Sequence, residues 1–438
     1  MTKNARELAM HVLYDIEYNG AYSNMALKDA FLKNREISDV DKGFVTKLVY
    51  GVVSRKLTLE YIISQFSKIK LKKISKYILI ILKMGIYQIE FMDKVPESAA
   101  VNESVKLAKR YGHGASAGFV NGLLHSVIRN EIKYPEEKIK RLSVLYSYPE
   151  QLCKKWYDDF GFDFTKELLL AMNESSKTTL RVNTTKTTAE ELVRNNEKFK
   201  ISLLYDNALI CEGFDVGNSD EYKSGKVIAQ DISAMMASLV LSPNRGEKVL
   251  DVCAAPGGKT THIAQLMQNV GEVVACDIHE HKMALIKDNA KRMGLDIINP
   301  QLMDASKLNP DFLEKFDKVL ADVPCTGYGI IRKKPDIKWK EEESCEICAV
   351  AKEILTNAAK YVRIGGELVF STCTINKEEN EERLKEFLEE FKNFEAVDIT
   401  EYLPEELRHE TAKNGYVTFY PNVDGIDGFF IAKMKRCK

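Results

Sequence analysis

Asp251-Val252-Cys253-Ala254-Ala255-Pro256-Gly257-Gly258-Lys259-Thr260 is the stretch on which the reading of this chain turns. It continues the apolar run Lys248–Cys253 and leads into a helical pattern, so small residues and two glycines fall where a strand becomes a helix. Further apolar runs at Glu272–Asp277, Lys318–Asp322 and Glu367–Thr372 alternate with helical stretches. That alternation predicts a parallel sheet covered by helices from about Val227 onward. Tyr416–Tyr420 and Phe429–Met434 read as a closing antiparallel pair. In such sheets ligands gather beyond the carboxyl ends of the strands. A phosphate-cradling loop needs G-x-x-x-x-G-K-[ST]. Gly258-Lys259-Thr260 supplies its end, but the required first glycine falls on Cys253. The dinucleotide pattern G-x-G-x-x-G is missing as well.

Asp277 lies 19 residues past Gly258, where a carboxylate meets a ribose hydroxyl in doubly wound folds. A nucleoside without a phosphate chain fits this best, and S-adenosylmethionine is such a ligand. Asp304 follows a third strand end and is placed to reach the adenine edge, although a lone loop aspartate is also a common cap. Two cysteines stand at strand ends on the same sheet edge: Cys325 in Asp322-Val323-Pro324-Cys325-Thr326-Gly327, and Cys373 in Ser371-Thr372-Cys373-Thr374. Free cysteines usually fill cores, but a pair beside a cofactor loop points to nucleophilic sulfur. The chemistry that needs it is methylation of an unreactive ring carbon. Thiolate addition at C6 of a cytosine makes C5 nucleophilic, and the C5 proton must then leave. Asp322 is placed to bond N3 and the exocyclic amine. Sequence logic alone does not rank the two cysteines.

CAAPGGKTTH (Cys253–His262), DVPCTGYGIIRKKPDIKW (Asp322–Trp339) and STCTINKEENE (Ser371–Glu381) resemble the motifs of the RNA cytosine-5 methyltransferases, as do Gln230-Asp231 and Asp427-Gly428-Phe429-Phe430. Asn102-Glu103-Ser104-Val105-Lys106-Leu107-Ala108-Lys109 and Phe119-Val120-Asn121-Gly122 resemble the NusB fold. In this order, over essentially the whole chain, the two halves resemble the small-subunit ribosomal RNA methyltransferase B (RsmB/Sun) type. The resemblance implies methyl transfer from S-adenosylmethionine to C5 of a specific cytidine in small-subunit (16S) ribosomal RNA, naked or partly assembled. It makes Cys373 the nucleophile and Cys325 the thiol that helps release product. Cys253, Ala254, Ala255, Pro256, Gly257, Gly258, Lys259, Asp277, Asp304 and Asp322 become cofactor contacts. Val323 and Thr326 replace the commoner Pro or Ala and Ser, and Lys333-Lys334 stand where Arg is usual; no group the chemistry needs is lost. Alternatives are the same chemistry on transfer RNA, an inert RNA-binding scaffold, and a P-loop NTPase, the last disfavoured by Cys253.

The remaining chain reads as two further segments, giving an expected division at 1–131, 132–226 and 227–438. Residues 1–131 are all-helical: Leu8, Ala9, Val12, Leu13 and Ile16 form one stripe, and Ser38-Asp39-Val40-Asp41 has the form of a capping box. Residues 132–226 suggest a small α+β module, with helices near 136–145 and 149–173 and short strands after them. The 438 residues carry 29% charged and 45% hydrophobic side chains, as in ordinary globular proteins. The net charge of −1 hides an asymmetry: residues 1–130 hold 20 Lys and Arg against 12 Asp and Glu. A basic front suggests a polyanion-facing module, with Lys68, Lys70, Lys72, Lys73 and Lys76 as one cluster. Arg332, Lys333, Lys334 and Lys338 follow the Cys325 loop as candidate phosphate contacts. Tyr77–Met92, interrupted by Lys83, Gln88 and Glu90, is too charged to span a bilayer. The start lacks a secretory pattern, and nine scattered cysteines fit a reducing cytosol. The expectation is a cytoplasmic monomer. Cys345-Glu346-Ile347-Cys348 lacks partners at zinc spacing and reads as helix packing, and His279 and His281 as solvent-facing, so no metal is expected.

Overall fold

The computed structural model of the chain describes residues 4–339 and 344–438, with side chains from residue 346 in the second span. The chain forms two compact units: Met1–Glu174 with Ile331–Lys340, and Ser175–Ile330 with Glu341–Lys438.

The first unit is helical. Ser38 caps the helix Asp39–Ser54 as its pattern predicts, its hydroxyl accepting the Asp41 N–H at 3.1 Å. Pro96 precedes the helix Glu97–Tyr111, where its fixed φ suits a helix start. The central helix Lys76–Phe91 is the apolar stretch that Lys83 and Gln88 interrupt. Those two residues do not face water: Lys83 is 0% exposed and Gln88 1%. Lys83 is neutralised within the bundle by Glu17 at 2.9 Å and Glu60 at 2.7 Å, the condition under which a lysine can be buried at all.

The expected middle segment does not stay together. Its helices Lys138–Tyr146, Glu150–Phe160 and Phe162–Ala171 join the first unit. There Thr58 donates to the Val144 carbonyl at 2.6 Å, and Arg55 to that of Leu145 at 3.1 Å. Its strands belong to the second unit.

The segment Ile331–Trp339 also packs in the first unit, which corrects one expectation. Lys338 is no phosphate contact: it is 1% exposed. Its ammonium donates to the carbonyls of Ser54 at 3.0 Å and Ser147 at 3.3 Å and to Asn173 Oδ1 at 3.1 Å, and lies 3.8 Å from the centre of the Tyr148 ring. Burial holds its pKa well below the ordinary lysine value. Trp339 packs beside it and donates to the Val53 carbonyl at 3.1 Å. Arg332 and Lys333 are half-buried and Lys334 is exposed in the same segment, while Lys68, Lys70, Lys72, Lys73 and Lys76 are all exposed.

In the second unit, strands β1 (Thr178–Val182), β2 (Phe199–Ser202), β3 (Tyr205–Cys211) and β4 (Val227–Ala229) form an antiparallel sheet in the order β2-β3-β1-β4. A larger sheet holds β5 (Lys248–Asp251), β6 (Glu272–Asp277), β7 (Ile298–Leu302), β8 (Phe316–Asp322), β9 (Val362–Thr372), β10 (Phe394–Ala396), β11 (Tyr416–Phe419) and β12 (Phe429–Arg436). Its order is β10-β12-β9-β8-β5-β6-β7, with β11 on β12. Strands β5 to β9 are mutually parallel, and β12 closes antiparallel on β9. Parallel pairing brings the carboxyl ends of β5, β6, β7, β8 and β9 to one edge. No helix among the described residues is long and apolar enough to cross a membrane.

Lys83→Ala is expected to lower unfolding stability by about 2–4 kcal/mol, because it leaves two carboxylates facing each other across a void. Urea unfolding followed by circular dichroism checks this; an unchanged midpoint would mean that the pair is solvated.

Candidate active site

The glycine loop begins where β5 ends. Ala254 N–H bonds the Cys276 carbonyl and Gly257 N–H the Ala254 carbonyl, both at 2.7 Å. Gly257 has φ +100°, a conformation that side chains resist, and the helix Gly258–Leu266 starts from it. A Cβ built on Gly258 would meet only Gln230 Cδ, at 3.8 Å, so the backbone there stays open to a ligand. Arg181 of β1 braces this turn from below. Fully buried, its guanidinium donates to Gln230 Oε1, to the Gly258 carbonyl at 2.6 Å and to Thr261 Oγ1 at 2.8 Å. Burial pushes its pKa down to about 9.

Asp251 and Asp277 end β5 and β6, and Asp304 follows the end of β7 by two residues. Asp251 is buried; its Oδ2 accepts the Thr260 hydroxyl at 2.7 Å, while Oδ1 has no partner. Burial pushes its pKa up to about 7. Asp277 accepts Ala255 N–H at 3.3 Å and His279 N–H at 3.0 Å, tying β6 to the glycine loop. Asp304 caps its own turn through Ser306 N–H at 3.1 Å and Lys307 at 3.1 Å, and the Ser306 hydroxyl bond comes first in holding its pKa down. Cys253 is half-buried in the loop, and burial lifts its thiol well above the ordinary value.

Asp322 ends β8 opposite Ser371 of β9. The Ser371 hydroxyl donates to its Oδ1 at 2.8 Å, and the Lys259 ammonium to its Oδ2 at 2.7 Å. Burial alone would lower the Lys259 pKa, but Asp322 first, then Cys373 and Asp251, leave it above the usual lysine value. The Phe429 ring lies 5.1 Å from the same ammonium. Just beyond these strand ends the Cys325 and Cys373 sulfurs sit 3.4 Å apart. Their hydrogen bond, and then burial, raise the Cys325 thiol well above its ordinary value.

Two details of the sulfur loops had no reading in the sequence. Gly329 N–H donates to the Cys373 carbonyl at 3.0 Å, and Gly428 N–H to the Gly329 carbonyl at 2.9 Å. A Cβ on Gly329 would lie 1.9 Å from the Gly428 carbonyl oxygen, so the two backbones touch. Glu379, 6% exposed, accepts Thr326 N–H at 2.9 Å, the Thr326 hydroxyl at 2.6 Å and Asn376 Nδ2 at 2.8 Å.

The family model described as 16S rRNA methyltransferase RsmB/F matches residues 238–435. The NusB family model matches residues 3–129, and the RsmF/B-like ferredoxin-like domain model residues 148–203. A probable ribosomal RNA small subunit methyltransferase B from Bacillus subtilis is 38% identical over 445 residues, covering 99% of both chains. The chain belongs to the RsmB/F methyltransferase family. Its Synechocystis relative of the same description is 32% identical, again over 99% of both chains. The crystal structure of PH0851 superposes with a TM-score of 0.81 at 28% identity, covering 98% of this chain and 97% of that one. The fold is therefore a NusB-like helical domain, a ferredoxin-like module and a Rossmann-like methyltransferase domain with a mixed sheet.

In this RsmB/F chain the sheet edge brings together Cys253–Lys259, Asp277, Asp322, Cys325 and Cys373, all named from sequence. Arg332, Lys333, Lys334 and Lys338 fall instead in the segment of the helical unit. Arg181 and Glu379 were missed: an arginine in a short strand and a glutamate in an acidic run carry no local sign of their partners. Tyr222 faces Arg292, whose guanidinium lies 3.8 Å from the ring centre. His279 and His281 are exposed as expected. Cys348 is half-buried on the helix Ser344–Tyr361, and the Cys345 side chain lies outside the described residues. Among the described residues no group of His, Cys, Asp or Glu is arranged to hold a metal.

Gly329→Ala is expected to destabilise the second unit by about 1–3 kcal/mol, the usual cost of forcing a methyl into packed backbone. Denaturant unfolding measures it, and wild-type stability would show that the two loops move apart freely.

Proposed function

We propose that the chain transfers a methyl group from S-adenosylmethionine to C5 of one cytidine in 16S ribosomal RNA through a covalent bond between Cys373 and C6. The observation that carries this reading is the pair of sulfurs 3.4 Å apart, beside an Asp322–Lys259 pair at the cofactor edge of the sheet. Two sulfurs at that spacing reach adjacent carbons of one ring.

The residues suit the donor. The open backbone at Gly258 admits a close ligand, the Asp277 carboxylate matches a ribose hydroxyl, and the unpartnered Asp251 oxygen matches an ammonium such as that of the donor's amino-acid tail. Asp304 lies at the next strand end as an adenine contact. When bound, the cofactor supplies an electrophilic methyl on a sulfonium. Cys325, holding its proton, donates to the Cys373 sulfur, and the Lys259 charge acts on that sulfur as well. Both favour a sulfur anion at 373, which attacks C6. Asp322, oriented by Ser371 and Lys259, accepts from the exocyclic amine and relays to N3, as charge builds there, the proton that the Lys259 ammonium donates to it. Once Cys373 is a thioether, the acceptor that held the Cys325 proton is gone. Cys325 then yields that proton to solvent, takes the C5 proton as a thiolate, and Cys373 is eliminated.

The exposed lysines of the NusB-like unit, with Arg332, Lys333 and Lys334, supply positive charge for RNA phosphates. The working form is a cytoplasmic monomer acting on free or partly assembled small-subunit RNA.

Tritium transfer from labelled donor to purified ribosomal and transfer RNAs tests the reading. Label is expected in 16S RNA; label in transfer RNA alone, or in neither with donor binding intact, would overturn it. Cys373→Ala is expected to abolish turnover with donor affinity within about twofold, and Cys325→Ala to accumulate a protein–RNA adduct as a slow band on a denaturing gel. An active Cys373→Ala enzyme, or no band, would reverse these roles. Asp277→Ala is expected to cost about 1.5–3 kcal/mol of donor binding by calorimetry; unchanged affinity would move the ribose contact elsewhere.

A further inference from the structure

Glu379 stands outside the groups that touch substrate, yet its placement is hard to explain as packing. It is 6% exposed and sits on the cysteine-bearing turn after β9. Its Oε2 accepts the Thr326 N–H at 2.9 Å, and Oε1 accepts the Thr326 hydroxyl at 2.6 Å and Asn376 Nδ2 at 2.8 Å. The Thr326 hydroxyl is also 2.8 Å from that of Thr374. Thr326 adjoins Cys325, and Thr374 adjoins Cys373. The Thr374 hydroxyl donates to Oε1 at 3.4 Å as well, so one carboxylate holds the neighbour of each cysteine, and the two loops meet through it in addition to the Gly329 N–H bond to the Cys373 carbonyl. Asn380 locks the same turn from behind, accepting the Thr372 hydroxyl at 2.6 Å and donating to the Thr374 carbonyl at 3.0 Å.

We infer that Glu379 is a positioning residue that sets the spacing of the Cys325 and Cys373 sulfurs, so that release of the methylated base keeps pace with attack. Nothing on the glycine loop depends on it, so donor binding is insulated from it. Attack at C6 forms one sulfur–carbon bond, and the Lys259 charge still favours the anion at 373 when the Cys325 hydrogen bond is loosened. Release needs Cys325 within reach of the proton on the neighbouring carbon, and that step is the one that loosened spacing slows. A carboxylate is required because four donors converge on its two oxygens: the Thr326 N–H and hydroxyl, Asn376 Nδ2 and the Thr374 hydroxyl. A glutamine would turn an NH2 group toward one of them.

The inference rests on the proposed covalent chemistry, but its first test does not. Diamide oxidises two neighbouring thiols to a disulfide, two electrons and two protons passing to the diazene to give the hydrazine. The rate of the Cys325–Cys373 cross-link, followed by peptide mass spectrometry on the full chain without RNA, reports the sulfur spacing. Glu379→Gln is expected to slow this cross-link at least fivefold with the thermal midpoint and donor affinity close to wild type. In methyl transfer the same variant is expected to lose at least tenfold in kcat with KM within twofold, and to accumulate the covalent adduct. Thr326→Val, which removes the hydroxyl but keeps the backbone bond, is expected to slow the cross-link twofold to fourfold; it decides the matter if Glu379→Gln fails to fold. Wild-type cross-linking in the folded variants, or a fall in kcat without adduct, would overturn the role of Glu379. A wild-type enzyme that methylates no RNA would overturn the proposed function instead, leaving the cross-linking result to stand or fall alone.

Discussion

Asp322 and Ser371 are register partners at the ends of two parallel strands, β8 and β9. That single alignment sets the rest of the site. Because the strands run the same way, the residues that follow them leave the sheet together, and the cysteines three and two positions later meet 3.4 Å apart. A slip of one residue would turn Asp322 to the other face. The alignment also places Asp322 against Lys259 of the glycine loop, so one carboxylate links the donor edge to the sulfur pair. The Ser371 hydroxyl and the Lys259 ammonium each hold one of its oxygens, leaving its orientation little freedom.

The supports lie underneath that edge and are mostly buried polar groups. Arg181 fixes the start of the helix after the glycine loop through carbonyl and hydroxyl acceptors rather than an acidic partner. Glu379 does the converse, a buried carboxylate satisfied by neutral donors. Each group holds backbone or a neighbouring side chain in one place because leaving it unpaired in a low-dielectric interior costs more than the bonds gain. Gly329 and Gly428 add a steric constraint of the same kind, two backbones in contact where no Cβ fits.

What could be read in the sequence follows from which interactions are local. The glycine loop, the strand ends and the two cysteines announce themselves within a few residues, and the strands lie close to where their apolar runs place them. The partnership of Arg181 with Gly258 spans 77 residues and that of Glu379 with Thr326 spans 53, so neither leaves a local trace. Strand β7, Ile-Asn-Pro-Gln-Leu, was not named because its proline and polar residues mask it. Charge counting misled in one respect. Lys338 reads as an RNA-facing cation and Lys83 is counted in the basic front, but both are buried with partners of their own, since a long side chain can carry its ammonium to distant acceptors. The basic character of the front half therefore rests on its remaining exposed lysines and arginines.

The central claim is that the sulfur at position 373, and not its neighbour, bonds the base. The most direct measurement uses small-subunit ribosomal RNA in which 5-fluorocytidine replaces cytidine, so that no C5 proton can leave and the bonded state persists. After incubation with wild-type protein and S-adenosylmethionine, protease and nuclease digestion followed by mass spectrometry locates the modified peptide. The account requires a methylated fluorocytidine on the peptide carrying Cys373. The same mass on the Cys325 peptide, or no adduct from RNA that is otherwise a substrate, would contradict it.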